Sequence, residues 1–63
     1  MWIKTIDNSY VNTDHASCVL YDDVEDTTDC IDRTGLVYEI CHGDHVRDII
    51  QNIVSGTKIM EVN

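Results

Sequence analysis

Val46, Ile49, Ile50, Ile53 and Val54 recur at i, i+3, i+4, i+7 and i+8, the spacing of one apolar stripe along an α-helix. Such a stripe must lie against another layer, and the residues that can build that layer all precede it. Asp44 offers an N-cap just before the stripe and Gly56 a C′ residue just after Ser55, so the spacing predicts a single helix bounded at both ends.

Ahead of the helix the periodicity changes from 3.6 to two. Trp2, Lys4 and Ile6 alternate with Ile3 and Thr5, and the run Asp7, Asn8, Ser9 reads as a turn. Tyr10 to Thr13 resumes as a strand, Asp14 and His15 bend it, and Ala16 to Tyr21 continues extended. In that stretch Ala16, Cys18 and Leu20 share one face and Ser17, Val19 and Tyr21 the other. Asp22 to Asp29 has Val24 as its only large apolar residue and reads as a solvated loop with side-chain to backbone bonding. Cys30 and Ile31 return to extended structure, Arg33, Thr34 and Gly35 turn, and Leu36 to Cys41 runs back with Leu36, Tyr38 and Ile40 on one face. Gly35 stands where the hairpin needs a positive φ. Thr57 to Val62 is β-branched and apolar enough for a short final strand.

The predicted fold is therefore α+β: an antiparallel β-meander of three to four strands, one C-terminal amphipathic α-helix packed on one face, and a possible short final strand. Short connections favour antiparallel pairing. With 63 residues there is room for one core, since a chain of this size buries roughly 60% of the surface that it exposes when unfolded. Residues 1–63 are thus expected to be a single domain, monomeric or a small homo-oligomer. With 43% hydrophobic residues and no proline, the composition is that of a folded domain rather than a disordered tail.

Charge narrows the partners. Twelve Asp and Glu against four Lys and Arg give a formal charge of −8. That excludes direct binding to nucleic acid or anionic lipid, both of which require clustered Lys and Arg, and leaves basic surfaces as the natural counterpart. Solubility alone also accounts for such a charge. No stretch has the pattern of a secretory signal or a membrane span, so a cytoplasmic protein with reduced thiols is expected. Cys18, Cys30 and Cys41 are odd in number and lack a stapled-scaffold spacing, which fits free cysteines better than a disulfide framework, with one bridge left open.

No residue constellation satisfies the requirements of an active site, and no cofactor is expected. Cys41, His42 and His45 place soft and imidazole ligands close together, the best candidates for a metal. A structural zinc needs four ligands, however, and no Cys-x-x-Cys supplies a second pair. Cys30 and Arg33 invite comparison with a phosphatase loop, but the arginine falls three residues after the cysteine instead of six, and neighbouring acids would raise the thiol pKa. Counting from Asp22, the sixth position of a calcium loop would be Thr27 and the twelfth Arg33, which rules out an EF-hand. The three glycines are isolated, so no loop cradles a phosphate.

The order of an Ile-Lys-Thr-Ile-Asp-Asn turn, a Tyr-Val-Asn-Thr-Asp strand, an acidic loop, a Thr-Gly-Leu-Val-Tyr-Glu-Ile hairpin strand and an Asp-His-Val-Arg-Asp-Ile-Ile-Gln-Asn-Ile helix resembles the small flagellar-operon proteins of the FlbD, or swarming-motility, type. The resemblance spans Ile3 to about Val54, with Asn12, Asp14 and Gly35 at pattern positions. Ser9 stands where that family has a turn glycine, the isoleucine after Asn-x-Asp is missing, and the residues after Gly56 are additional. The resemblance implies a non-enzymatic accessory subunit and carries no catalytic residues.

Six acids crowd one stretch: Asp22, Asp23, Glu25, Asp26, Asp29 and Asp32. Carboxylates on one face of a strand recur about every 6.8 Å, an interval suited to a groove that reads phosphates. The expected function is therefore a small acidic protein-binding domain. Its character resembles phage-encoded anti-restriction and anti-CRISPR inhibitors, which block the basic surface of a nucleic-acid-binding protein as nucleic-acid mimics. The six acids form the charge patch, with Tyr21 and Tyr38 as aromatic anchors, and the setting would be a bacterial host cytoplasm. The alternative is a structural or accessory subunit that docks through apolar surface such as Trp2 and the tail Ile59, Met60 and Val62.

Overall fold

The computed structural model describes residues 1–55 and the backbone of Ile59–Met60. Two sheets share one core. The first is built on β1 (Trp2–Lys4) and β2 (Tyr10–Asn12), an antiparallel pair with Ile3 opposite Val11. After a 3-10 turn over Thr13–His15, the chain forms the second sheet as a meander of β3 (Ala16–Asp22), β4 (Thr27–Asp32) and β5 (Val37–His42), in that spatial order. The helix α1 (Val46–Ser55) follows, and a last strand, β6 (Ile59–Met60), returns to pair parallel with β1. The architecture is α+β with one C-terminal helix, as the periodicities predicted. The strands, however, divide between two sheets instead of extending one meander. The change falls at the turn over Thr13–His15: the Thr13 N–H and hydroxyl still donate to the Met1 carbonyl, at 2.8 and 2.9 Å, while the Asn12 side chain accepts from the Asp14 N–H at 3.0 Å and starts the turn that leaves the first sheet.

Alternation holds in β1, where Ile3 is buried and Trp2 exposed. It fails in β3 and β5, each of which carries a bulge. Ala16 pairs with Asp32 and Cys18 with Ile31, so Ser17 is an extra residue, and Ala16 and Val19, three apart, both pack against the core. On β5, Thr28 pairs with Cys41 and Asp29 with Glu39, which makes Ile40 the extra residue. The neighbours Ile40 and Cys41 are consequently both buried. The expected grouping of Ala16 with Cys18 and Leu20 is therefore corrected: Ala16 faces in, while Cys18 and Leu20 face out. The expected face of Leu36, Tyr38 and Ile40 likewise loses Leu36, which is exposed outside the strand.

The core comprises Ile3 and Val11 from the first sheet, Cys30, Ile40 and Cys41 from the second, and Ile49 from the helix. Only part of the helical stripe is used. Ile49 is fully buried and Ile53 packs against the core, whereas Ile50 is 46% exposed and Val54 81% exposed. The helix start is held by polar contacts: Asp44 accepts from the Val46 N–H at 3.2 Å, and the buried Thr28 hydroxyl donates to the Gly43 carbonyl at 2.6 Å while accepting from the His45 N–H at 2.8 Å. Gly35 has φ +90°, as its hairpin position requires. The proposed C′ residue Gly56 and the side chains of the tail lie outside the described residues.

Candidate functional site

The β3–β4 connection is a four-residue turn, Asp23 to Asp26, closed by the pairing of Asp22 with Thr27. Acidic residues make the turn as well as decorate it. The Asp22 carboxylate accepts from the backbone N–H groups of Val24 and Glu25, at 3.0 and 3.3 Å, an Asx-type arrangement that satisfies the donors a tight turn leaves open. Asp26 takes the left-handed conformation at φ 55°, which Asp tolerates better than most residues. Tyr21 reaches across and donates its hydroxyl to Asp26 at 2.6 Å. Because ionising the phenol would break that bond and set two negative charges side by side, Tyr21 is pushed up to about 12. Asp23, Val24 and Glu25 project into solvent.

The turn is fastened to the helix start by the Gly43 N–H, which donates to the Asp26 carbonyl at 2.8 Å. This brings Asp44 near enough to act on Tyr21 electrostatically. Asp44 is thus a fifth acid at this end of the molecule, distant in sequence from the other four and invisible in the linear run.

Two of the six predicted acids lie elsewhere. Asp29 sits on β4, paired with Leu20 on one side and Glu39 on the other. It is only 4% exposed and accepts from the Thr27 hydroxyl at 2.8 Å, so it belongs to a buried strand rather than the solvated loop expected there. Asp32 ends β4, about 17 Å along the strand from the turn. One of its oxygens accepts from the Thr34 hydroxyl at 2.6 Å, the Thr34 N–H at 2.8 Å and the Leu36 N–H at 3.1 Å; the other accepts from the Tyr38 hydroxyl at 3.3 Å. These donors, led by the Thr34 hydroxyl, hold Asp32 below the usual carboxylate range, while burial and the neighbouring carboxylate push Tyr38 up. The proposed patch therefore separates into Asp22, Asp23, Glu25 and Asp26 with Tyr21 at one end and Asp32 with Tyr38 at the other.

Among the described residues the charge is not neutralised from within: the ion pairs are the N-terminal ammonium with Asp14 at 3.4 Å and His45 with Asp48 at 3.5 Å, and no Lys or Arg is paired with a carboxylate. The Arg33 guanidinium donates instead to the Asp14 carbonyl at 3.2 Å, and so does not turn toward Cys30.

The candidate metal ligands do not converge. Cys41 is buried on the core side, its neighbour His42 is exposed on the opposite face of β5, and His45 pairs with Asp48 at the helix start. No group of three or more His, Cys, Asp or Glu side chains is arranged to hold a metal among the described residues. All three cysteines are free. Burial pushes the Cys30 and Cys41 thiols up, which disfavours the reactive thiolate. No described helix is long and apolar enough to cross a membrane. No protein family, curated protein or solved structure matches the chain.

Proposed function

We propose that the protein works by binding, and that its β3–β4 turn seats in the basic groove of a nucleic-acid-binding protein and excludes the nucleic acid. The observation that carries this reading is the set Asp22, Asp23, Glu25 and Asp26, held on one tight turn with no pairing to a Lys or Arg among the described residues. A rigid turn that presents several carboxylates loses little conformational freedom on docking, and its charge steers it toward a positive surface. Tyr21, braced against Asp26, adds an aromatic edge at the rim. Inhibition of this type, as in the phage-encoded anti-restriction and anti-CRISPR proteins, involves no catalysis and no cofactor, and the protein would act in a bacterial cytoplasm.

The test is affinity capture with the intact protein and with a variant carrying Asp22→Asn, Asp23→Asn, Glu25→Gln and Asp26→Asn. Asn at position 22 keeps the acceptor that closes the turn, and circular dichroism checks the fold. The wild type is expected to capture a nucleic-acid-binding protein that DNA or RNA competes away and that elutes by about 0.5 M salt, where the Debye length has shrunk to a few ångströms; the variant should lose it. Capture that survives both the substitutions and the salt would sink this reading.

A specific observation favours the second reading, an accessory subunit of the flagellar-operon kind docking through apolar surface. The pairing of Cys18 with Ile31 and of Ile31 with Val37 sets these side chains in one row on the outer face of the second sheet, next to Leu20. Val37 is well exposed and Leu20 partly so. Under that reading the neutral variant keeps its partner, and charge substitutions at Leu20 and Val37 release it.

A further inference from the structure

Trp2, Tyr10 and Tyr38 line a hollow of about 230 Å³ together with Asn12, His15 and Asp32, at the opposite end of β4 from the acidic turn. We infer that this hollow binds a cationic side chain, and that its occupant is an arginine of a basic protein partner. As a statement about a partner it rests on the reading above; as a statement about the hollow it stands by itself.

Trp2 pairs with Asn12 and Lys4 with Tyr10, so Trp2 and Tyr10 are diagonal neighbours on the outer face of the β1–β2 pair. Diagonal positions on paired strands are about 7 to 8 Å apart. Side chains at such positions are within reach of one another, so the two rings can bound a single planar group. Trp2 and Tyr10 are each 51% exposed, so both are open to a ligand in the hollow. The faces of indole and phenol are the negative ends of their quadrupoles and attract guanidinium and ammonium groups.

Asp32 adds the full charge. Three donors occupy its first oxygen, whereas the second holds only the Tyr38 hydroxyl, at 3.3 Å. Each carboxylate oxygen has two lone pairs and the second carries a single long bond, so it has room for a donor from the hollow. Neither Arg33, which is engaged by the Asp14 carbonyl, nor Lys4 lines the hollow. A carboxylate that shares a hollow with three aromatic residues and has no ion pair among the described residues, in a chain of net charge −8, selects a positive ligand. Arginine fits better than lysine, because its planar fork can stack on a ring and hydrogen-bond to an acid in the same pose.

The experiment is a titration of the full chain with Nα-acetyl-arginine amide, followed by NMR, with the citrulline analogue as a neutral control of the same shape. Saturable shifts are expected at the Trp2 indole N–H and at the amides of Tyr10 and Tyr38, with none from the citrulline compound. Tyr10→Leu and Asp32→Asn should each weaken binding about five-fold or more; Asn at position 32 keeps the oxygen that closes the β4–β5 turn. Equal shifts from both compounds, shifts confined to Asp23–Asp26, or unchanged affinity in both variants would overturn the inference. Loss of partner capture on neutralising the turn, with no arginine bound in the hollow, removes this inference and keeps the proposed function. Arginine bound in the hollow, with capture indifferent to the turn, does the reverse.

Discussion

Thr28 shows how much a single side chain decides in a molecule of this size. It is fully buried, and its one hydroxyl satisfies the Gly43 carbonyl and the His45 N–H at the start of the helix, groups that would otherwise be desolvated without partners. Nothing in the run Asp26-Thr27-Thr28-Asp29 announces this, because Asp and Thr in succession carry the same composition as a loop. The burial of Asp29 escapes a reading of the sequence for the same reason. Tyr21 is easier to test. Its folded-state pKa of about 12 lies above the value of about 10 for an unfolded chain. The bond to Asp26 therefore stabilises fully below about pH 10 and is lost as the pH rises through 12. Following the Tyr21 ring signals against pH should show a midpoint that falls in Asp26→Asn relative to the wild type; a midpoint indifferent to that substitution would remove Asp26 as the cause.

At the scale of elements, the helix was legible because its residues repeat regularly and its start is marked by Asp44. Which edge of the stripe would be buried was not, since the repeat is equally apolar at Ile49 and Ile50 and only tertiary packing separates them. The structure makes the two residues a matched pair for experiment. Ile49→Ala should destabilise by about 2 to 5 kcal/mol, as a large side chain removed from a closed core does. Ile50→Ala, at a site 46% exposed, should cost well under half as much. Urea unfolding of the two variants side by side checks this, and equal losses would mean that the helix is rotated about its axis. The strands show the opposite balance. Alternation separated Ile3 from Trp2 and Lys4 as the structure does, but no residue type marks a bulge, so the inward turn of Ala16 and the consecutive burial of Ile40 and Cys41 could not be read from a period of two. The same limit affects the candidate site: the acids of the turn are contiguous in sequence and were found together, whereas Asp44 reaches them through the Asp26–Gly43 hydrogen bond and Asp32 leaves them through the length of β4.

Taken whole, the molecule is a small core between two sheets, with carboxylates at one end of the meander and aromatic rings at the other. The two sheets differ in how far apart in the chain their partners lie. Each strand of β3, β4 and β5 pairs with its immediate neighbour, so closing those hairpins confines only a few residues. β1 meets β6 across nearly the entire chain, with Trp2 beside Ile59 and Ile3 beside Met60. Closing so long a loop costs more entropy before any contact rewards it. Assembly is thereby given an order: in pulse-labelled hydrogen exchange the amides of Leu20 and Cys30, inside the meander, should become protected before that of Lys4, which lies on the β6 side of β1, and simultaneous protection would contradict it. During synthesis, β1 must then wait for its last neighbour until every element from β2 to α1 has left the ribosome.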